Sequence, residues 1–224
     1  MDISEDNKQV WEDFYRDNKR FLYCPSEDLA AFFSTYFKNN LSDKKVLDIG
    51  CGAGRNLLLA GKLGAETYGI DSSKEAINES KRFLAQERLV SNIQLGSTIN
   101  IPHPDNYFNI SILWGVFHYL SKADQEIAKE EIKRVMKNDA WIVFTLRSTH
   151  DSRYGIGEEL DKKVFIQNKP GRKGIIIQYW DEKEARSFFN LENLLIGEKI
   201  RAQIGRLEVK SAHWIIAGKV IKNG

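Results

Sequence analysis

Residues 46–56 read VLDIGCGAGRN, and an apolar run followed at once by three glycines strongly limits what this chain can fold into. The Val, Leu and Ile residues of the run are typical of a strand that is buried on both faces of a parallel sheet. The glycines allow a tight turn and let a ligand approach the bare backbone. A strand, a glycine loop and a helix in succession predict a binding site for a nucleotide-like ligand.

The chain after Leu41 alternates short apolar strands with amphipathic helices. This alternation is typical of a doubly wound parallel sheet. Strands are predicted at 45–49, 66–70, 92–95, 108–114, 140–146 and 175–179, and near 194–202 and 213–220. Helices are predicted at about 54–63, 74–87, 122–136 and 181–189. The last two strands have no helix between them, so they are predicted to pair antiparallel and make the sheet mixed at one edge.

Two further helical patterns occupy the first 40 residues, with aromatic and apolar residues on one face of each. Both faces need something to pack on, so these helices are expected to cover part of the sheet. Ser26, which follows a proline, is predicted to be the N-cap of the second helix.

Ser-x-x-acid boxes at Ser72/Glu75 and Ser121/Asp124 predict the starts of two later helices. In such a box the serine side chain accepts a hydrogen bond from an amide group of the first turn. These boxes place helix starts directly after the second and fourth predicted strands.

Length and composition indicate one globular domain and limit the classes of binding partner. The 224 residues are 42% hydrophobic and 29% charged. A net charge of +2 offers no strong field for nucleic acid or anionic lipid, so neither a polynucleotide nor a membrane partner is expected. Two cysteines and an N-terminus without signal-peptide features predict a cytoplasmic protein. Oligomeric state is left open.

The residues after the glycine loop argue against two common nucleotide sites. A dinucleotide fingerprint needs a small residue where Arg55 stands, so NAD is disfavoured. A Walker loop needs a Gly-Lys followed by Ser or Thr, which is absent here. What remains is Asp48 inside the strand, followed by G-x-G-x-G.

The stretch DIGCGAG resembles motif I of the class I S-adenosylmethionine-dependent methyltransferases. GIDSS places Asp71 at the end of the second strand, roughly 20 residues after Asp48, which is similar to the family's ribose-binding acid. IPHPDNYFNISILWGVFHYL and EIKRVMKNDAWIVFT resemble the family's segments around the fourth and fifth strands. The resemblance covers about residues 44–146, with order and spacing preserved.

The resemblance implies a doubly wound, Rossmann-like, mostly parallel seven-stranded sheet with an antiparallel edge strand. It also implies one methyltransferase domain over 1–224, with a helical N-terminal cap at 1–40, a cofactor-binding half at 41–146 and substrate-side segments at 147–224. The implied cofactor is S-adenosylmethionine, which becomes S-adenosylhomocysteine. The implied cofactor-binding residues are Tyr15, Asp48, Gly50, Cys51, Gly52, Asn56, Asp71, Ser72, Ser97, Thr98, Ile99 and Trp114.

The sequence departs from the family pattern at several positions. Ser97 stands where the family often has an acid beside the adenine, which puts the adenine contacts in doubt. Asn109 replaces another acid, and Asp139 and Ala140 replace two glycines. Asn138 and Asp139 still suit a turn before the fifth strand.

Methyl transfer requires alignment more than acid–base chemistry, although an oxygen or nitrogen acceptor must lose a proton. His118 follows the fourth strand in WGVFHY and is the candidate catalytic base, because an ordinary imidazole pKa of ~6.5 suits that task. The alternative is that His118 packs at a helix start or shapes the pocket. No metal site is expected, since His103, His150 and His213 lack ligand partners at metal spacing.

The N-terminal helices and residues 147–174 are predicted to form the substrate lid, because the cofactor-binding half does not account for them. Four residues are predicted to contact the substrate: Tyr23, Tyr119, Arg147 and Tyr154. The 147–174 segment has more Lys and Arg than acids, which suits an anionic or sugar-like acceptor or, alternatively, a solvated loop.

These features predict transfer of a methyl group to an oxygen or nitrogen atom of a small molecule, either a metabolite or a sugar-like precursor. One alternative is a noncatalytic S-adenosylmethionine-binding regulatory protein on the same fold, and another is an NAD oxidoreductase. The identity of the acceptor stays open, because its pocket belongs to segments without a shared motif.

Overall fold

The fold is taken from a computed structural model that describes residues 3–18, 21–169, 172–202, 205 and 209–222. Its centre is a seven-stranded sheet formed by β1 (Lys45–Ile49), β2 (Glu66–Asp71), β3 (Asn92–Leu95), β4 (Phe108–Leu113), β5 (Met136–Arg147), β9 (Glu192–Ala202) and β10 (Val209–Val220). A second, three-stranded sheet consists of β6 (Glu158–Asp161), β7 (Val164–Lys169) and β8 (Arg172–Gln178).

The strands of the large sheet lie in the order β3-β2-β1-β4-β5-β10-β9. The first five are parallel to one another, whereas β10 runs antiparallel to both β5 and β9. The predicted mostly parallel, Rossmann-like sheet that is mixed at one edge is therefore confirmed. The antiparallel strand β10 lies second from that edge, beside β9.

Helices cover both faces of the large sheet. They are α1 (Ile3–Asn18), α2 (Glu27–Phe37), α3 (Arg55–Lys62), α4 (Lys74–Gln86), α5 (Lys122–Val135) and α6 (Glu182–Ser187). On one face, Leu29 and Phe33 of α2 pack with Val46 of β1. On the other face, Ile132 of α5 belongs to the same cluster as Leu47 of β1. Successive residues of one strand thus enter opposite cores, which explains why β1 carries apolar residues on both faces.

The segment 147–174, predicted as a polar lid, instead contains the hairpin of β6 and β7 and the start of β8. Pro170 and Gly171, within that segment, lie outside the described residues. Phe165 of β7 is buried with Tyr119, Ile175 and Tyr179, and Trp11 of α1 packs against this cluster. Helix α1, from the beginning of the chain, therefore covers the buried residues of β7 and β8 in the second sheet.

Two local predictions need correction. The N-cap of α4 is Ser73 rather than Ser72, and its hydroxyl accepts a hydrogen bond from the Ala76 amide. The turn predicted at Asn138 and Asp139 lies inside β5, where the register against β4 is irregular and Asp139 has a φ of 60°. The extra residues of β5 form a bulge in its pairing with β4, and the strand continues through them.

The other caps fall where predicted. Ser121 caps α5 and accepts from the Asp124 amide. Ser26 occupies the N-cap position of α2 without a side-chain cap bond. Within the described part of the chain, no helix is long and apolar enough to cross a membrane.

Ser73 and Ser26, which both occupy helix N-cap positions, provide a matched test of capping. We expect Ser73→Ala to lower the free energy of unfolding by about 1 kcal/mol, because the first turn of α4 loses its side-chain acceptor. Ser26→Ala removes no cap bond and is expected to change stability by less than about 0.5 kcal/mol. Urea denaturation at constant m measures both values. Equal losses in the two variants would contradict this assignment.

Candidate functional site

A cavity of about 1130 Å³ lies at the carboxyl edge of the large sheet. Its wall is formed by the residues that follow β1, β2, β3 and β4, by the end of β5, and by residues of β9 and β10. Residues of α1 and of the stretch before α2 cover it. Ligands of open α/β sheets bind at this edge, so the cavity is the candidate active site.

The glycine loop supplies bare backbone to the cavity. Gly50, Gly52 and Gly54 all have positive φ, of 70°, 54° and 83°. A Cβ on Gly50 would lie 2.6 Å from Val116, and one on Gly54 would lie 2.4 Å from the Ser80 hydroxyl. A Cβ on Gly52 would meet only the Tyr15 hydroxyl, at 3.4 Å. Packing thus requires the outer glycines, whereas the middle one leaves its backbone open to a ligand.

Asp71, at the end of β2, connects the second strand to this loop. Its carboxylate accepts hydrogen bonds from the Gly52 amide (2.9 Å) and from the Ser73 amide (2.9 Å). Burial raises the pKa of Asp71, and the backbone hydrogen bonds from Ser73 and Gly52 oppose that shift. Each carboxylate oxygen has further lone-pair capacity, so the group can also accept from a pair of ligand hydroxyls.

Asn56 and Asp48 occupy different positions relative to the loop. Asn56 lines the cavity, and its Oδ1 is buried without a hydrogen-bond partner in the described structure. Asp48 is also buried with both oxygens unpartnered among the described residues, but it lies behind the loop and outside the cavity wall. Burial raises the pKa of Asp48 to about 8. Asp48 is thus the one predicted cofactor residue outside the cavity wall, and its contact with the cofactor stays a prediction.

The loop after β3 forms the far end of the cavity. The Ser97 hydroxyl accepts from the Ile99 amide at 3.3 Å, so this side chain shapes the turn. Ser97, Thr98 and Ile99 all lie on the wall, as do the predicted residues Cys51, Ser72 and Trp114. The predicted cofactor residues apart from Asp48 thus surround one space.

Helix α1 is held over the cavity by one buried amide. The Asn7 side chain donates to the carbonyls of Tyr119 (2.8 Å) and Ile176 (2.7 Å), and it accepts from the Ile176 amide (2.8 Å). Farther along α1, Tyr15 stacks on Phe21 at 5.2 Å. Asn7 was not among the residues predicted from the sequence. The signal available there was a polar residue on the apolar face of a helix.

His118 lies in a 3₁₀ helix (Phe117–Tyr119) after β4 and is 1% exposed. It lines the cavity, and its Nδ1 has no partner among the described side chains and backbone groups. Burial, with smaller contributions from the charge of Arg147 and from His213, lowers the pKa of His118 well below its usual range. The imidazole is therefore neutral at pH 7, and the predicted near-neutral pKa is replaced by that of a weaker base.

This pKa shift has a consequence for stability. The unfolded chain protonates His118 below about pH 6.5, whereas the folded chain does not, so folding loses stability as the pH falls through that value. A His118→Gln variant lacks this loss. We expect its destabilisation relative to wild type to shrink by about 1 kcal/mol between pH 7 and pH 5.5. Urea denaturation at both pH values measures the difference, and a constant value would exclude a neutral buried His118.

The predicted substrate residues divide into two groups. Tyr119 and Arg147 line the cavity. Tyr23 and Tyr154 lie outside its wall: Tyr23 donates to Glu79 at 2.6 Å, and the Tyr154 ring packs edge-on against Phe165. The cavity wall also contains residues that were not predicted, namely Lys199, Arg201, His213 and Ile215 from β9 and β10.

Residues 47–144 match a family model described as a methyltransferase domain. An uncharacterized methyltransferase of Bacillus subtilis, YcgJ, is 34% identical over 129 residues, which cover 57% of this chain and 48% of that protein. The chain spans about half the length of the curated relatives it matches.

Two solved structures share the fold. A SAM-dependent methyltransferase from Methanosarcina mazei superposes with a TM-score of 0.69 at 20% identity, covering 84% of this chain and 98% of that one. The YcgJ structure from Bacillus subtilis gives a TM-score of 0.62 at 16% identity, covering 87% and 98%. At these levels of sequence identity, the similarity shows the fold alone.

Proposed function

We propose that the chain, whose residues 47–144 match a methyltransferase domain, is a class I S-adenosylmethionine-dependent methyltransferase that methylates an oxygen or nitrogen atom of a small molecule. The observation that carries this proposal is the extent of the cavity. It runs along the sheet edge from the loops after β1, β2 and β3, across β4, to residues of β5, β9 and β10. The first part accommodates the methyl donor, and the second part offers room for an acceptor.

The residues of the first part fit S-adenosylmethionine. Asp71 supplies carboxylate oxygens for the ribose hydroxyls, and the open backbone at Gly52 lets the amino-acid portion lie close to the loop. The unpartnered Oδ1 of Asn56 is an acceptor for an ammonium group. When bound, S-adenosylmethionine supplies an electrophilic methyl group on a positively charged sulfur.

The protein's own contribution to the reaction is orientation and exclusion of water. Trp11 and Tyr15 of α1 cover the cavity together with Phe21, and Asn7 holds α1 in place. Fixing two reactants in line contributes about 7–11 kcal/mol to such a reaction. His118, neutral and with an unpartnered Nδ1, accepts a hydrogen bond from the acceptor's O–H or N–H group, takes up the proton that this group loses on methylation, and then releases it to solvent.

A small acceptor is favoured over a polymer. The N-terminal segment roofs the cavity, and the net charge of +2 provides no extended basic surface for a polynucleotide. Cys24 and Cys51 are both free thiols, which agrees with the proposed cytoplasmic setting.

Calorimetry with S-adenosylhomocysteine, followed by a methyl-transfer assay across metabolite extracts with labelled S-adenosylmethionine, tests the proposal. We expect micromolar or tighter binding and a labelled product in at least one extract. Absence of binding would reject the proposal. Binding without turnover in any extract would favour the noncatalytic regulatory alternative.

A further inference from the structure

The acceptor end of the cavity contains a row of basic side chains from three neighbouring strands. Arg147, the last residue of β5, pairs directly with His213 of β10, and His213 pairs with Lys199 of β9. Directly paired residues of antiparallel strands place their side chains on the same face. All three residues line the cavity.

Arg147 shares its counterion with a second arginine. Its Nη1 donates to Asp151 at 3.0 Å, and Arg153 donates to the same carboxylate from Nε at 2.6 Å and Nη2 at 2.7 Å. Burial alone would raise the pKa of Asp151, but Arg153 and Arg147 lower it well below its usual range, so it stays ionised. Among the described contacts, one carboxylate therefore serves two guanidinium groups, which leaves one positive charge in excess.

The other charged groups at this end of the wall leave the excess unchanged, because Lys199 faces two carboxylates and Arg201 of β9 adds one positive charge. Lys199 is paired with Glu27 and with Asp28, the latter at 2.7 Å. Burial, followed by the charge of Arg147, lowers the pKa of His213 to about 3, so this side chain is neutral. His118 is neutral for the same leading reason.

Arg147 also has unused hydrogen-bonding capacity. It is 6% exposed, and its Nε is buried without a hydrogen-bond partner among the described residues. A buried donor without a partner is costly, and a guanidinium fork fits a carboxylate with two parallel hydrogen bonds. A single excess charge matches a monoanion better than a doubly charged phosphate.

Resting on the proposed function, we propose that the methyl acceptor carries a carboxylate group, which Arg147 binds at the β5 end of the cavity. The acceptor's reactive O or N atom then lies toward His118, which follows β4 between the two halves of the site. Trp11 and Tyr119, whose rings meet edge to face at 5.2 Å, form an aromatic part of the same wall.

Titration of three matched probes into the protein saturated with S-adenosylhomocysteine tests this assignment. Benzoate presents a carboxylate on an aromatic ring, benzamide is its neutral counterpart, and phenyl phosphate is the alternative anion. We expect benzoate to bind wild type at least about tenfold more tightly than benzamide, as a charged hydrogen-bonded pair warrants. In Arg147→Gln we expect this preference to fall to about twofold or less, while Asp151 keeps Arg153 as partner.

Arg186→Gln is the control, because Arg186 is exposed, pairs with Glu182 and lies outside the cavity wall. It is expected to keep the full preference for benzoate. Equal binding of benzoate and benzamide to wild type, or an undiminished preference in Arg147→Gln, would overturn the proposal. Tighter binding of phenyl phosphate than of benzoate would also overturn it, because the anionic group of the acceptor would then be a phosphate.

The titrations are repeated without S-adenosylhomocysteine, and the affinity for that ligand is measured separately for each variant. If wild type does not bind S-adenosylhomocysteine but keeps its preference for benzoate, the methyltransferase proposal alone is rejected. Normal donor binding without a benzoate preference would reject the carboxylate proposal alone.

Discussion

A Gly52→Val variant is expected to fold and to lose affinity for S-adenosylhomocysteine by on the order of 100-fold, the upper end of an overpacking cost of about 1–3 kcal/mol. In the empty protein a Cβ at this position would meet only the Tyr15 hydroxyl, at 3.4 Å, which is ordinary van der Waals contact. The valine methyl groups would instead occupy the space that the donor needs beside the backbone. Calorimetry measures the affinity, and thermal unfolding reports whether the protein is folded.

Gly155→Val is the matched control for backbone strain. Gly155 also has a positive φ, of 76°, and no described atom lies within 4 Å of its Cβ position. Placing a side chain in the left-handed region costs about 1–2 kcal/mol at either position. Gly155 lies outside the cavity wall, so its variant should show comparable destabilisation with unchanged donor affinity. Equal loss of affinity in both variants would mean that strain, and not occupation of the site, weakens binding.

Asp71→Asn should reduce donor affinity by on the order of 100-fold with little change in side-chain volume. The amide group can accept from only one of the two backbone donors, Gly52 and Ser73, and turns an N–H group toward the other. Hydrogen bonds to a charged group contribute about 1.5–3 kcal/mol each, and the ribose loses one such acceptor. Calorimetric titration with S-adenosylhomocysteine measures the loss.

Asp43→Asn serves as its control. Asp43 precedes β1 at the opposite end of the sheet, and its side chain is 74% exposed. The same chemical change there should leave donor affinity within about twofold of wild type, because exposed ion pairs contribute at most about 1 kcal/mol to stability and none to this site. A folded Asp71→Asn variant with wild-type affinity would remove the basis for assigning the ribose contact to this carboxylate.

The elements between residues 45 and 135 agree closely with the sequence prediction, because their signals are local. β1, β3 and the helices α3, α4 and α5 begin and end within two residues of the predicted bounds. Each strand is short, each helix is amphipathic, and turn or cap residues separate them. The shift from Ser72 to Ser73 shows the limit of such signals, since adjacent serines offer the same hydroxyl group.

The second sheet was harder to predict because its burial depends on a distant partner. β8 pairs with β7 along one edge, and its Ile176 is hydrogen-bonded to Asn7 of α1. The sequence around 147–174 is polar because β6 is exposed along its length. Periodicity within such a segment cannot reveal a helix that packs on it from the other end of the chain.

The acceptor end of the site required strand register, which local sequence does not contain. Arg147 was predicted to bind substrate from its charge, but its neighbours His213 and Lys199 come from strands whose pairing is set by the whole sheet. Asp48 shows the converse case. Its motif predicted a ligand contact, yet adjacent side chains of β1 point to opposite faces, and Ile49 rather than Asp48 lines the cavity.

The hydrogen bonds of Asn7 bear on the order in which the molecule is assembled during translation. Asn7 and Ile176 are 169 positions apart, so α1 leaves the ribosome long before β8 exists. The donor half can fold while the nascent chain is still growing, but the roof cannot be fastened until β8 emerges. β10 must then insert between β5 and β9. A chain that ends before β8 therefore lacks the hydrogen bonds that fasten α1 over the cavity.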